Sequence, residues 1–414
     1  TKLILRCDRK TPSITDKALV IVGRQCAHLR KLKIKGCRQL TDSGLDLFAP
    51  LSAPTLQKLS LGTCGFGARG INSIVTHCTL LEDLTVKRLR GLVEGPAEFI
   101  RPGSGSIRRL CLKELFNAQL FAPLIAGSKS LHTLMICRNS GNWDSLLECM
   151  ITDRVPSLVE LHMERIHLSD RGLHAVSRCT NLEVLYVAKV PDCTNRGLSA
   201  VAEGCKRLRK LHLDGWKSNR IGDDGLIALG LNCRDLQEIV LIGINVTTSS
   251  LNVMASNCLN LERLALCNSE TVGDSELSFI AVNCRALKRL CMKGCAISDQ
   301  GMRVFVSGCP QLVKLKVKKC RGVTWESAVW LRVHRPPLIV CLDCKDPNIV
   351  DSSVDVLGLT HALNEANPVA LPPLCLHTRS AFSKVKFSLV ASGSFLVCSL
   401  LRWSSSKGSK RLAI

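Results

Sequence analysis

The stretch that decides the fold is Cys284-Arg-Ala-Leu287-Lys-Arg-Leu290-Cys-Met292-Lys-Gly-Cys295. Counted from Leu287, apolar residues lie at offsets 0, +3 and +5, with basic residues in several of the gaps. The alternation between +3 and +5 is typical of a short strand with one buried side. The same pattern recurs along almost the whole sequence, so we expect one structural unit to be repeated many times.

The repeats have a nearly constant length. Consecutive residues at offset 0, here called anchors, are 24 to 28 positions apart, and the +3 and +5 positions are always aliphatic or Met. The anchors are Leu29, Leu56, Leu81, Ile107, Leu131, Leu158, Leu182, Leu208, Leu236, Leu261, Leu287 and Leu312. Such a period predicts an α/β leucine-rich-repeat solenoid, in which each unit is one strand plus one helix. We expect a curved parallel sheet on the concave face and helices on the convex face.

The repeats predict one elongated domain with distinct ends. We interpret residues 1–13 as the remnant of a truncated first repeat and residues 14–323 as a solenoid of about twelve units. Residues 324–345 are predicted to form a C-terminal cap, and residues 346–414 a mostly disordered tail that has lost the period. The apolar segment 387–401 in that tail is shorter than the roughly 20 residues of a membrane span, so we predict no membrane insertion.

The helical half of each unit opens with Ser or Thr followed by Asp. Examples are Thr15-Asp16, Thr41-Asp42, Ser169-Asp170 and Ser298-Asp299. The hydroxyl is expected to cap the helix and the acid to favour the positive end of its dipole. Two units, 91–106 and 127–156, depart from the pattern. They are either insertions that line a binding face or degenerate repeats.

The composition favours an acidic partner. The chain has 56 Lys and Arg against 34 Asp and Glu, a net charge of +22. This excess fits nucleic acid, an anionic membrane, a polyphosphate or an acidic protein segment. Aromatic residues make up only 4% of the chain, too few for a stacking platform, so nucleic acid is the least favoured of these partners.

The 23 cysteines follow the repeat rather than a disulfide pattern. Eight lie three residues before an anchor and four lie eight residues after one: Cys26, Cys78, Cys179, Cys205, Cys233, Cys258, Cys284, Cys309, Cys37, Cys64, Cys295 and Cys320. We predict that they pack in the core as free thiols, which implies a reducing intracellular compartment, the nucleus or the cytoplasm. The pair Cys341 and Cys344 has no second pair or His at ligand spacing, so we predict no metal site.

A dinucleotide-like pattern, Gly65-Phe-Gly67-Ala-Arg-Gly70, has a simpler explanation in the repeat. Gly70 occupies a slot that is also glycine in other units, and no acidic residue follows at the distance needed to bind a ribose. Histidines such as His132 recur within strands without a matched nucleophile and acid. We therefore predict no cofactor and no enzymatic activity.

The surface with functional promise is the one that the strands build. Side chains at offsets +2, +4 and +6 are expected to face outward on the concave sheet, with basic ends and an apolar centre around the only Tyr, Tyr186. The candidate contacts for a target protein are Lys31, Lys33, Lys35, Arg109, Met135, Tyr186, His212, Ile242, Arg289, Lys316 and Lys318. A solvated face with scattered apolar residues is the alternative.

Several phrases resemble plant F-box/leucine-rich-repeat proteins of the VIER F-box group, which use the cysteine-containing subclass of repeat. The resemblance covers roughly residues 1 to 335. It is carried by Leu84-Thr-Val-Lys-Arg-Leu-Arg-Gly91, Leu112-Lys-Glu-Leu115, Cys193-Thr-Asn-Arg-Gly-Leu198, Leu208-Arg-Lys-Leu-His-Leu-Asp-Gly-Trp216, Ile221-Gly-Asp-Asp-Gly225, Leu259-Asn-Leu-Glu-Arg-Leu-Ala-Leu-Cys267 and Val317-Lys-Lys-Cys-Arg-Gly-Val323.

The resemblance implies a substrate receptor of a Skp-cullin-F-box ubiquitin ligase, with a target protein on the repeats and no transferase activity of its own. In that family an F-box precedes the repeats, and nothing before Thr15 matches one. We therefore expect a truncated chain, and a Skp-type adaptor and a cullin as partners only if an F-box lies upstream. The alternative is a leucine-rich-repeat scaffold without a ligase role.

Overall fold

The computed structural model describes residues 1–7, 13–94, 98–151, 157–215 and 220–343. Within these residues, fourteen strands form one parallel sheet in strict chain order, and each strand pairs with the next. A helical segment crosses from each strand to the following one along the same side of the sheet. The predicted leucine-rich-repeat solenoid is confirmed.

Twelve of the fourteen strands begin two residues after an anchor, as the repeat pattern predicts. The strands are β1 (Lys2–Arg6), β2 (Lys31–Lys35), β3 (Lys58–Gly62), β4 (Asp83–Lys87), β5 (Arg109–Lys113), β6 (Thr133–Cys137), β7 (Glu160–Glu164), β8 (Val184–Ala188), β9 (Lys210–Asp214), β10 (Glu238–Ile242), β11 (Arg263–Cys267), β12 (Arg289–Lys293), β13 (Lys314–Lys318) and β14 (Ile339–Leu342).

The helices are mostly about ten residues long. They are α1 (Asp16–Gln25), α2 (Asp42–Ser52), α3 (Ala68–His77), α4 (Gly91–Glu94), α5 (Ala122–Gly127), α6 (Trp143–Met150), α7 (Asp170–Val176), α8 (Asn195–Gly204), α9 (Asp223–Asn232), α10 (Thr248–Asn257), α11 (Asp274–Asn283), α12 (Asp299–Arg303) and α13 (Trp325–His334). Short 3-10 turns occupy Ala118–Phe121 and Val304–Val306. Among the described residues, no helix is long and apolar enough to cross a membrane.

The core is a set of columns that run through the repeats. Neighbouring strands pair in register at equal offsets, so that Leu264, Leu290 and Leu315 follow one another across the sheet, and all three are buried. Helices are about 10 Å wide, whereas strands lie about 4.8 Å apart, so the helical side must spread more than the sheet side. The sheet therefore lies on the inner, concave face.

A ladder of aspartates joins the helix starts of consecutive repeats. Oδ1 of Asp144 accepts hydrogen bonds from the backbone N–H of Ser169 at 2.9 Å and of Gly172 at 3.0 Å, and Oδ2 accepts one from the Ser169 hydroxyl at 2.6 Å. Asp170 binds Thr194 in the same way. Each carboxylate thus reaches the next repeat, in addition to lying at the start of its own helix.

This ladder explains the recurrent glycine slot, including the last glycine of the dinucleotide-like pattern. The N–H of Gly70 donates to Oδ1 of Asp42 at 2.7 Å, and a Cβ on Gly70 would lie 2.8 Å from that oxygen. The slot must be glycine because the carboxylate of the preceding repeat fills the space of a side chain. Gly70 therefore has a structural role in the repeat.

The irregular units and the C-terminal end keep the strand order. After β4 the helix α4 is only four residues long, and α6 in the second irregular unit begins after Asn142, whose side chain caps Asp144 N–H. At the other end, α13 and β14 add one more helix and strand to the array. Residues 346–414 of the predicted tail, Trp216 and Cys344 lie outside the described residues.

The cysteines pack as the repeat predicts. Of the twelve cysteines at fixed offsets from the anchors, eleven are buried and Cys26 is partly exposed, and all are free thiols. Burial raises the pKa of the Cys179 thiol to about 12 and that of Cys258 to about 11. These thiols are therefore protonated and act as small apolar side chains.

Candidate protein-binding face

One row of side chains crosses the concave face at offset +4. Because the strands pair in register, these side chains follow one another from repeat to repeat. The row reads Ile4, Lys33, Ser60, Thr85, Cys111, Met135, His162, Tyr186, His212, Val240, Ala265, Cys291, Lys316 and Cys341. The rings of three consecutive residues meet in its centre.

These three rings, of His162, Tyr186 and His212, form a stack. The ring centroids of His162 and Tyr186 are 5.3 Å apart with an interplanar angle of 19°, and those of Tyr186 and His212 are 4.2 Å apart at 21°. The spacing is close to the roughly 4.8 Å between strands, so the sheet itself sets the stacking distance. The stack gives the centre of the face a rigid aromatic surface.

Glu160 fixes one end of the stack. Its Oε1 lies 2.7 Å from Nε2 of His162, its Oε2 accepts from the Thr133 hydroxyl at 2.9 Å, and Arg109 lies 3.9 Å from the same oxygen. The hydrogen bond with His162 is the largest cause that lowers the pKa of Glu160 to about 2, and the charge of Arg109 adds to it. The ionised carboxylate therefore holds the His162 ring in place.

His212, at the other end of the stack, is buried under Tyr186. It is 5% exposed, and neither ring nitrogen has a hydrogen-bond partner among the described residues. Burial, followed by the charges of His162 and Arg263, lowers the pKa of His212 to about 3. The ring is neutral at physiological pH and forms part of the floor of the face.

Two of the candidate residues at the centre lie on the concave side but are covered by neighbouring side chains. Ile242 is 8% exposed and His212 is covered as described above. On the inner side of a curved sheet the side chains converge, so neighbours cover those that would be open on a flat sheet. Tyr186 and Met135 stay partly exposed. They provide the accessible part of the centre.

The lysines among the candidate residues lie far from this centre, whereas Arg109 reaches Glu160 beside the stack. Lys31, Lys33 and Lys35 are exposed on β2, Arg109 and Arg289 are exposed on β5 and β12, and Lys316 and Lys318 are partly exposed on β13. Eleven strand spacings separate β2 from β13, which is roughly 50 Å at about 4.8 Å each. The structure brings the aromatic residues together and keeps the two lysine groups apart, so the candidates form an extended face.

Sequence reasoning did not select Glu160, Thr133 and His162 as site residues. Each occupies an outward offset in its own repeat, +2 or +4. Glu160 bonds to His162 two residues along its own strand and to Thr133 on the preceding strand, 27 residues earlier in the sequence. The sequence signal for His162 is the equal offset of His162, Tyr186 and His212 in three consecutive repeats.

The buried His212 makes stability depend on pH. Its folded pKa lies below the ordinary 6.5, so between pH 6.5 and about 3 the unfolded chain binds a proton that the folded chain does not. The free energy of unfolding should fall by about 2 kcal/mol between pH 6.5 and 4.5. In His212→Phe, which keeps a ring under Tyr186, urea unfolding should show a clearly flatter profile in this window.

The control for this measurement is the same change at a histidine on the protein surface, His77→Phe. Below about pH 4.5, protonation of Glu160 begins to destabilise both variants. An unchanged slope between pH 6.5 and 4.5 in His212→Phe would show that His212 is not the responsible group.

The fold and this face define an open leucine-rich-repeat solenoid, and the known proteins similar to the chain agree. A family described as Leucine Rich repeat matches residues 25–49 and 205–230. A transport inhibitor response 1-like protein of Oryza sativa subsp. japonica is 25% identical over 77% of this chain and 60% of its own length. F-box protein FBX14 of Arabidopsis thaliana is 23% identical over 72% of this chain and 55% of its own length.

The chain thus spans less than two thirds of the length of these two plant relatives. Among solved structures, an internalin of Listeria monocytogenes superimposes with a TM-score of 0.49 and 14% identity, over 80% of this chain and 90% of the internalin.

Proposed function

We propose that the chain is the target-recognition part of a Skp-cullin-F-box ubiquitin ligase, of the VIER F-box group, and that it binds a target protein along its concave face for ubiquitination and degradation. It acts as an adaptor in the nucleus or cytoplasm and not as an enzyme. The sequence phrases that resemble this group support the proposal, as does the 23% identity to a relative named as an F-box protein.

The observation that carries the proposal is the aromatic stack in the middle of an open face with basic ends. Binding energy in protein interfaces concentrates in central aromatic residues, and Tyr is among the most frequent of them. Tyr186 is held between two rings, so little side-chain freedom is lost on binding. The lysines of β2 and β13 favour a segment with acidic ends.

The concave face is tested with Tyr186→Ala. We expect capture of target proteins, measured by quantitative affinity purification from plant cells, to fall about 30-fold, which corresponds to about 2 kcal/mol. Tyr186→Phe keeps the stack and should retain most of the capture.

The triple change of Lys31, Lys33 and Lys35 to Glu should weaken capture as well. If both the Ala variant and the triple variant capture targets normally, the face is not the binding surface.

The ligase role is tested by co-purification with a Skp-type adaptor and a cullin. The 414-residue chain is compared with the product of the coding sequence extended upstream. Recovery of both partners with the extended product supports the ligase role. Target capture without either partner, in both products, would instead indicate a leucine-rich-repeat scaffold.

A further inference from the structure

A second candidate binding region lies outside the concave row, beyond the ends of β2 to β6. The loops that leave these strands enclose a cleft of about 680 Å³, here called the rim cleft, whose lining includes Arg38, Arg88, Arg90, Glu114, Phe116 and Arg138. Its volume falls in the range of roughly 300 to 1,000 Å³ that ligand-binding pockets occupy. The rim cleft adjoins the irregular repeat, where α4 is only four residues long.

The charge of the rim cleft is strongly positive. Four arginines line it against one carboxylate, Glu114. Glu114 is already bound to Lys87 at 3.3 Å, to Arg88, and to Arg138 at 3.9 Å. Arg38 and Arg90 are exposed, and within the described part of the chain neither makes an ion pair. The cleft therefore favours an anionic partner.

The rim cleft also has an apolar side. Phe116 is 70% exposed and Val93 is 51% exposed, although both are large apolar residues, and the buried Leu89 and Leu115 also line the cleft. An exposed Phe beside arginines has the composition of an interface centre, where aromatic residues and Arg are enriched. An anion without an apolar part would leave Phe116 in water.

The backbone presents two of the arginines at the rim. Arg88 and Arg138 directly follow their strands and have φ values of +49° and +55°, and their N–H groups donate to the last carbonyl of the next strand. This left-handed conformation costs a non-glycine residue about 1 kcal/mol or more. The same slot holds glycine in some repeats, as at Gly36 and Gly294, and a non-glycine residue in several others, such as Lys189 and Lys319. The arginines are thus held at the rim in a conformation that glycine would adopt at lower cost.

We propose that the rim cleft binds an acidic peptide segment of the target protein in which an apolar residue is flanked by acids. Arg38 follows β2 and Arg138 follows β6, so the arginines extend over four strand spacings, roughly 19 Å at about 4.8 Å each. An extended peptide of about six residues, at about 3.3 Å per residue, spans that distance. Its acids pair with the arginines and its apolar side chain packs on Phe116 and Val93. This inference rests on the proposed function for the role of the bound segment.

The test uses the full 414-residue chain and a fluorescein-labelled peptide of nine residues, Glu-Asp-Glu-Asp-Leu-Glu-Asp-Glu-Asp, followed by fluorescence anisotropy at fixed salt. We expect saturable binding that weakens at least tenfold in the double variant Arg38→Glu/Arg90→Glu and about fivefold in Phe116→Ala. The variant Arg38→Gln/Arg90→Gln removes the two positive charges without adding negative ones, so it is less able to disturb folding. It should weaken binding at least threefold. The same peptide with Ser in place of Leu should bind about fivefold more weakly.

The matched control is Arg234→Glu/Arg285→Glu, which changes two exposed arginines in loops at the opposite ends of the strands. It should change binding less than twofold. Any of four results would overturn the inference. It is rejected if the peptide shows no saturable binding, if the control variant loses as much binding as Arg38→Glu/Arg90→Glu, if the Ser peptide binds as well as the Leu peptide, or if a single-stranded nine-nucleotide DNA binds more tightly than the peptide. If the chain binds the peptide but captures neither a Skp-type adaptor nor target proteins, only the proposed function is rejected. If Tyr186-dependent target capture is observed but the peptide does not bind, only the rim cleft is rejected as a binding site.

Discussion

Asp144→Ala is expected to lower the free energy of unfolding by about 5 kcal/mol, since hydrogen bonds to a charged group each contribute roughly 1.5 to 3 kcal/mol and three are lost. Asp144 is 5% exposed and binds two N–H groups and one hydroxyl of the next repeat. Without the carboxylate these donors stay largely buried and unpaired. Urea unfolding followed by circular dichroism measures the loss, and hydrogen exchange should locate it at α6 and α7.

Two comparisons sharpen this prediction. Asp16 makes the equivalent bonds to the N–H and hydroxyl of Thr41 in an exposed setting, so Asp16→Ala should cost less than half as much. Asn195 lies at the same offset from its anchor as Asp144 and accepts the N–H of Gly222 at 2.8 Å through its amide oxygen. Asp144→Asn should therefore retain part of the interaction. Equal effects of Asp144→Ala and Asp16→Ala would contradict the importance of burial.

The sequence predicts most of the fold because the decisive signals are local. In the quoted stretch, the buried Leu290 and Met292 are flanked by the exposed Arg289 and the half-buried Lys293, and a nearly constant period separates them from equivalent pairs in other repeats. A period and an alternation are enough to place strands, to order them in parallel and to bury the cysteines. The Thr-Asp and Ser-Asp phrases likewise predict the helix starts, though not that the acid bonds to the following repeat.

The candidate face is predicted less completely, because exposure and partnership depend on neighbouring repeats. The offset of His212 shows that it points to the concave side, but its burial depends on Tyr186 in the preceding strand. The rim cleft is harder still to foresee. Arg38 and Arg138 are 100 positions apart in the sequence, and only the stacking of five repeats brings them to one cleft.

Gly301→Ala is expected to lower the free energy of unfolding by about 3 kcal/mol, the upper range for overpacking a tight site. A Cβ at this position would lie 2.1 Å from Oδ1 and 2.6 Å from Cγ of Asp274. Asp274 binds the N–H of Ser298 at 2.8 Å and its hydroxyl at 2.5 Å, so it cannot move without losing these bonds. Thermal and urea unfolding measure the effect. Gly222→Ala is the control, because a Cβ there meets nothing within 4 Å.

A double-mutant cycle separates this steric cause from a general effect of alanine at glycine positions. Asp274→Ala alone should cost about 2 kcal/mol, because it removes the bonds to Ser298. In the double variant the carboxylate that clashes with the new Cβ is absent, so Gly301→Ala should add only about 1 kcal/mol. The remaining neighbour, Cδ1 of Leu277 at 3.0 Å, is the end of a flexible side chain. Additive effects of the two changes would show that the glycine slot does not serve to admit the carboxylate of the preceding repeat.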